Sequence, residues 1–392
     1  MSGELIVRIA ARGDGLTESG RHAPLAAPGD SLAQDGTLTP GPHRLMPPCR
    51  HFPKCGGCQL QHLDDASYTQ FIIDRITHAL AQQGLETGIR PPHLSPPRTR
   101  RRASLQAERR EKEVVLGFSE AGSNALIDLK QCEILLPDLF ALLAPLRKLL
   151  ANLIAPRRRA GIALTMADQG IDVALSGIDA DSLSAAETLG DFAQAHNLAR
   201  LSIDDGYGPQ VRWEPQPATI TLAGVAVPLP VDAFLQATAD GEAALVAAVR
   251  EAVGEAPATA DLFAGLGTFA LSLPGKIYAA EASRDAALAL KGTGRVLVDH
   301  RDLYRRPLTA AECSRFGAIV LDPPRAGAEM QANELARSTT PIIAYVSCNP
   351  NSFARDAKII TQGGYRLDWI QPVGQFRWST HVELAARFSR QG

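Results

Sequence analysis

The segment Tyr345-Val346-Ser347-Cys348-Asn349-Pro350 sets a thiol between an apolar run, Pro341-Ile342-Ile343-Ala344, and a helical pattern. That order predicts a parallel strand ending in a turn, with Cys348 at its tip. Open α/β sheets bind ligands outside the carboxyl ends of their strands, so the thiol faces a ligand crevice. A cysteine by itself is more often a small buried hydrophobe. A nucleophilic thiolate works with a base. The stretch Phe376-Arg377-Trp378-Ser379-Thr380-His381-Val382-Glu383 brings a carboxylate, Glu383, to the entry of the last predicted strand. A third segment, Ala318-Ile319-Val320-Leu321-Asp322-Pro323-Pro324-Arg325, ends another apolar strand in a loop stiffened by two prolines. One thiol, two carboxylates and a guanidinium thus arrive at strand ends, which suits covalent catalysis with a general base.

A second set of thiols lies far upstream. Cys49, Cys55 and Cys58 follow a C-x5-C-x2-C spacing, and Gly56-Gly57 lets the backbone fold tightly around an ion or cluster. A closed all-thiolate site needs a fourth ligand, and Cys132 is the nearest candidate in sequence. Four thiolates suit tetrahedral zinc and equally suit a [4Fe–4S] cluster. His51 and His62 flank the set and read as supporting or surface groups. Cys313 has no evident partner.

The third constellation is Asp261-Leu262-Phe263-Ala264-Gly265-Leu266-Gly267-Thr268-Phe269, which runs strand, glycine loop, helix. Glycines there let the backbone approach a ligand closely. A second strand, Lys276-Ile277-Tyr278-Ala279-Ala280-Glu281, ends in an acid suited to a ribose diol. The full G-x-G-x-x-G of dinucleotide sites is missing, so a nucleoside without pyrophosphate, such as S-adenosylmethionine, fits better. The third strand is Arg295–His300, with Asp302 just beyond it. Candidate cofactor contacts are therefore Phe263, Gly265, Thr268, Glu281, Asp302 and Asp322.

These groups need elements to hold them. The chain has 392 residues, 45% hydrophobic and 21% charged, enough for two or three globular domains. Six cysteines with no basic, apolar leader at the N-terminus predict a cytoplasmic protein that uses thiols for metal or catalysis. The net charge of −2 gives no overall basic signal for nucleic acid. Positive charge is instead local: Arg98, Arg100, Arg101, Arg102, Arg109, Arg110 and Lys112, extended by Arg157-Arg158-Arg159, predict a hairpin with a basic, phosphate-facing side. Helical periodicity spans 64–84, and an apolar helix is expected over 137–150. Residues 160–202 read as strand, hairpin and helix of a central α+β domain. Residues 4–47, rich in Gly, Pro, Ala and Asp, read as short strands and turns or a partly disordered lead-in. The strands from 259 onward, finished by 365–373 and 382–390, give an α/β class.

Together these motifs resemble the iron–sulfur type of RNA 5-methyluridine methyltransferases, which modify uridine in 23S ribosomal RNA, and the likeness runs along nearly the whole chain. The resemblance implies a seven-stranded, Rossmann-like S-adenosylmethionine methyltransferase sheet (226–392), a central RNA-binding and [4Fe–4S] domain (48–225), and a reduced TRAM-like β-barrel segment (1–47). It implies cluster ligation by Cys49, Cys55, Cys58 and Cys132. Phe234-Leu235-Gln236 is similar to its F-x-Q element, which makes Gln236 a cofactor contact. Ser347-Cys348-Asn349-Pro350 is similar to its nucleophile motif and His381-Val382-Glu383 to its base motif. Thr238 stands where the family usually has Asn, and Ala264 where it often has Cys. The expected reaction joins Cys348 to C6 of a flipped uracil, so that C5 accepts a methyl group; Glu383 then removes the C5 proton. Arg325 is expected to bind substrate or lower the thiol pKa. The expected partner is 23S rRNA, or tRNA instead, acted on by a monomer. A 5-methylcytosine enzyme, by resemblance, carries its nucleophile beside Asp-Pro, where this chain has Pro324-Arg325. An amino-methylating enzyme has an aromatic residue where Arg325 stands. A non-catalytic RNA-binding scaffold has no use for the Cys348–Glu383 pair.

Overall fold

The computed structural model describes residues 3–111 and 113–391. Its largest sheet is the expected α/β one. The first strand, Ala258–Leu262, is flanked by the second, Lys276–Glu281, and the fourth, Ala318–Leu321. The third, Leu297–His300, lies outside the second. The fifth, Ile342–Ser347, joins the fourth, and beyond it run the seventh, Glu383–Arg390, and the sixth, Tyr365–Gly374. The order is third, second, first, fourth, fifth, seventh, sixth, with only the seventh antiparallel to its neighbours. The central strands read as unbroken apolar runs because helices cover both faces; Ala318–Leu321 is buried at every position.

Helix Asp65–Gln82 begins where the Asp64 side chain accepts the Ser67 N–H at 2.8 Å. Its buried Tyr68, Phe71, Ile72, Ile76 and Leu80 fall three or four residues apart and form one stripe. That stripe packs on the catalytic sheet, in one core with Phe353, Ile360, Ile370 and Phe388. The short strands Gly88–Ile89 and His93–Leu94 then pair with the sixth strand and extend the same sheet. Residues 65–94 are thus built into the catalytic layer, because their apolar stripe finds its partner there.

The central sheet has six strands with its own core. Its hairpin, Arg102–Arg110 with Glu113–Gly117, is the expected one. The apolar helix expected over 137–150 is two pieces, Pro137–Ala141 and Leu143–Leu153. At the N-terminus five short strands between Glu4 and Thr39 form one antiparallel sheet. No described helix is long and apolar enough to cross a membrane.

Candidate active site

Cys348 follows the fifth strand directly. The next residue, Asn349, caps the helix Pro350–Gln362 by accepting the Asn351 N–H, and Pro350 takes the first helical position. The thiol is therefore half-buried at a strand end and one residue ahead of a helix N-terminus. The Asn349 amide donates to the Arg325 carbonyl at 3.0 Å, and Ser352 Oγ donates to it at 3.1 Å. These bonds tie the thiol loop to the Asp322-Pro323-Pro324-Arg325 loop. Glu383 starts the seventh strand, buried; its charge acts on Cys348, and the charge of Asp322 acts on it.

An amide network fixes the carboxyls. Gln375 Oε1 accepts the backbone N–H of Ala237 at 2.8 Å and of Thr238 at 3.4 Å. That leaves its Nε2 to donate to Gln236 Oε1 at 2.6 Å and to Glu383 Oε2. Gln236 Nε2 donates in turn to Asp322 Oδ2 at 3.4 Å. Gln375 carried no sequence motif; a polar residue at the end of a strand otherwise packed into the core was the only available signal.

Burial dominates the electrostatics. It pushes Asp322 up to about 7. Burial and then the charge of Asp322 push Glu383 up to about 8. The Cys348 thiol is raised by burial and by Glu383 and Asp322, and Arg325 opposes this only weakly. Arg325 lowers the thiol as expected, but in the ligand-free site two nearby acids and poor solvation outweigh one exposed guanidinium. Carboxyls tuned this close to neutrality suit general-base work. A cation entering between them and the thiol would favour ionisation of all three groups.

The glycine loop occupies the crevice over the first and second strands. Gly265 N–H donates to Glu281 Oε2 at 2.8 Å, which fixes the acid at the end of the second strand. Gly267 has φ +95°, and a Cβ there would lie 2.5 Å from Leu290 Cδ1, so only glycine fits. Phe263 is held at φ +65°, a strained setting worth about 1–2 kcal/mol for a side chain of this size. Its ring meets Tyr304 at 5.5 Å. Asp302 turns the chain beyond the third strand by accepting the Tyr304 N–H at 3.0 Å, and Thr268 sits half-buried after Gly267. Asp261, fully buried, accepts the Ala270 N–H at 2.8 Å and so braces the loop.

The upstream cysteines converge. Cys49, Cys55, Cys58 and Cys132 line one cavity walled by Phe52, Phe118, Leu129 and Ile134. Bonds between the two segments draw them together: Lys130 N–H donates to His51 Nε2 at 3.0 Å, and Gln131 Nε2 to the Pro48 carbonyl at 2.8 Å. A Cβ on Gly56 would stand 2.8 Å from the Ser119 carbonyl, which explains that glycine. Burial, then the neighbouring thiols, raises Cys58 to about 12. Among the described residues no three Cys, His, Asp or Glu side chains stand around a single-ion position. Trp378 packs on Cys58 and Ile134, and its carbonyl accepts the N–H groups of Gln59 and Leu60, so the thiol loop is stapled to the loop that leads to Glu383. Cys313 is a core residue, with Gln331 Nε2 donating to its sulfur at 3.5 Å.

The basic hairpin differs from expectation. Arg98 pairs with Glu133, Arg101 with Glu242, and both Arg110 and Arg159 with Glu108. Arg109 donates to the Ile154 carbonyl, and Lys112 lies outside the described residues. Acids thus answer four of the charges in the run. Arg100 and Arg102 escape and turn towards Phe376 and Phe234.

Known proteins resemble this chain. The sequence family described as tRNA (Uracil-5-)-methyltransferase matches residues 293–391. An RNA methyltransferase of Zymomonas mobilis is 48% identical over 98% of this chain and 99% of its own. The 23S rRNA (uracil(1939)-C(5))-methyltransferase RlmD of Photorhabdus laumondii is 29% identical over 90% of this chain and 84% of its own. The tRNA (uracil-54, C5)-methyltransferase of Pyrococcus abyssi, solved with S-adenosyl-L-homocysteine, shares the fold, with a TM-score of 0.76 and 22% identity over 99% of both chains. Relatives of this similarity along its whole length establish that the chain belongs to the RNA methyltransferases, and its C-terminal quarter carries the sequence of the (uracil-5-)-methyltransferase family.

Proposed function

We propose that the protein methylates C5 of a uridine in 23S rRNA through a covalent Cys348 adduct. The observation that carries this reading is the convergence of Cys348, Glu383 and Asp322 on one amide-locked crevice. Phe263, Gly265, Thr268, Glu281 and Asp302 would hold S-adenosylmethionine, which would supply an electrophilic methyl group. Cys348 adds to C6 of the flipped uracil, and the electron pair released onto the ring makes C5 nucleophilic. C5 takes the methyl group as the sulfur–methyl bond breaks, and S-adenosyl-L-homocysteine leaves. Glu383 removes the C5 proton, the ring double bond reforms, and the Cys348–C6 bond breaks. Asp322 and Gln236 border both cofactor and base. Gln375 holds the Glu383 carboxylate in line.

Four thiols on one apolar wall match the donor set of a [4Fe–4S] cluster, and we assign Cys49, Cys55, Cys58 and Cys132 as its ligands. The cluster's part is structural: it anchors the loop that carries Trp378 and leads to Glu383. The N-terminal strands between Glu4 and Thr39 are proposed as a reduced RNA-binding module. The preference for ribosomal RNA rests on the cysteine set and on the likeness to RlmD; a tRNA substrate is the second reading, favoured by the description of the matching family.

Mapping 5-methyluridine in ribosomal and transfer RNA from a deletion strain separates the two: loss of one site in 23S rRNA is the expected result, and loss in tRNA selects the second reading. Methylation of that RNA in vitro places the label on C5, and label on an exocyclic nitrogen sinks the mechanism. Anaerobically purified protein is expected to be brown with iron and sulfide; colourless protein with one zinc overturns the cluster.

A further inference from the structure

Three arginines reach one cleft from three distant segments. Arg75 stands on helix Asp65–Gln82, Arg100 precedes the central hairpin, and Arg325 follows the double proline. They line the cleft together with Arg12, Thr380 and His381. Its volume, about 970 Å³, stands at the upper end of the roughly 300–1,000 Å³ of a ligand pocket, room for a nucleotide with its flanking phosphate. Among the described residues, none of the three has a carboxylate within 4.0 Å. The acid on the cleft wall, Glu120, is already engaged by Ser123 Oγ at 2.9 Å.

Arg75 is the least satisfied. Its Nε is buried and has no hydrogen-bond partner. Burial, and then the like charge of Arg325, pulls its guanidinium below its ordinary value, so the two stand within electrostatic reach. Burial, Arg325, Arg100 and Arg75 likewise hold down His381. Buried donors left unpaired and like charges left facing are both unfavourable, and an anion between them removes both costs. Arg325 also reaches Cys348, through its charge and through the bonds from Asn349 and Ser352 to its carbonyl. The anion therefore lies beside the nucleophile. The anion that enters this cleft with a uridine is the phosphodiester of its own strand.

We infer that Arg75 and Arg325 together grip one RNA phosphate flanking the uridine that is turned towards Cys348. The inference rests on the reading of Cys348 as the uridine nucleophile. It makes Arg75, which lies on a helix away from every catalytic motif, a substrate-binding residue.

The test is binding of a fluorescein-labelled 12-nucleotide oligouridylate by the full chain, followed by anisotropy from 50 to 300 mM KCl. Arg75→Gln and Arg325→Gln are each expected to weaken binding roughly tenfold and to lower the log–log salt slope by about 0.7, the value for one single-strand phosphate. Arg75→Lys keeps the slope. The double variant loses no more slope than either single one, because both side chains hold the same phosphate. Affinity for S-adenosyl-L-homocysteine is unchanged in all of them, which shows that they fold. An unchanged slope in Arg75→Gln, additive slopes in the double variant, or salt-independent binding by the unmodified chain overturns the inference. Weaker S-adenosyl-L-homocysteine binding overturns it too, by making the cofactor's carboxylate the anion. Because the readout is binding, a failure of C5 methylation leaves its result distinct.

Discussion

Buried acids occur in two settings in this molecule. In the central sheet, Asp172 faces Arg200, each side chain 5% exposed, with two parallel bonds at 2.9 and 2.6 Å. In the catalytic sheet, Glu383 and Asp322 meet the amides of Gln375 and Gln236, and among the described residues no guanidinium stands within 4.0 Å of them. Burial raises the acids in both places. The difference lies in what the rest of the chain supplies. A buried acid with its own cation is scaffolding, and its charge is spent on holding strands together. An acid pair given only neutral amides keeps its charge for a ligand; in the proposed reaction that ligand is the sulfonium of the cofactor. Arg75 and Arg325 repeat the pattern with opposite sign: cations without acids, open to an anion.

Substitution on the two sides should separate function from stability. Glu383→Gln is expected to lower turnover by about a thousandfold while a covalent protein–RNA adduct accumulates, visible as a shifted band on a denaturing gel. Asp172→Asn should leave kcat within about twofold and instead cost roughly 3–5 kcal/mol of stability, because Arg200 stays buried without its partner. If Asp172→Asn fell mainly in turnover, the division into scaffold and site would be broken. Gln375→Leu keeps every backbone strand but frees the Glu383 carboxylate; kcat should drop about thirtyfold with little change in KM, and Gln375→Asn should not restore it.

Two further predictions concern protons. Glu383 and Asp322 hold protons up to about 8 and 7, and a bound sulfonium favours their release. Affinity for S-adenosylmethionine should therefore rise about tenfold between pH 6 and pH 8.5, measured by calorimetry. S-adenosyl-L-homocysteine, which lacks the positive sulfur, should change far less; equal pH dependence for both would remove the charge argument. For stability the sign follows from raised values. The folded protein binds more protons than the unfolded chain above about pH 4. The contribution is full below the ordinary carboxyl range and is lost as pH rises through about 8. Glu383→Gln should accordingly melt several degrees above the parent at pH 8.5 and level with it near pH 4.

Much of the site was legible because it is local. Strand ends are marked by apolar runs, so Cys348, Asp322, Glu281 and Glu383 could be assigned to one edge of a parallel sheet from position alone. The stripe of helix Asp65–Gln82 and its Asp64 cap were equally readable, since both depend on neighbours within four residues. The basic hairpin misled for the opposite reason. Four of its charges are answered by Glu133, Glu242 and Glu108, and apart from Glu108 those acids lie in other segments.

By itself, then, the sequence determined which side chains stand at the crevice and which four thiols are available, because periodicity and turn chemistry act over a few residues. Tertiary structure decided which charges are answered. The Gln375 clamp joins residues 8 and 139 positions apart. Arg75 could be suspected only from the lack of an acid three or four residues away. Whether a buried charge meets a partner depends on segments brought together from across the chain, and no local rule of propensity carries that information.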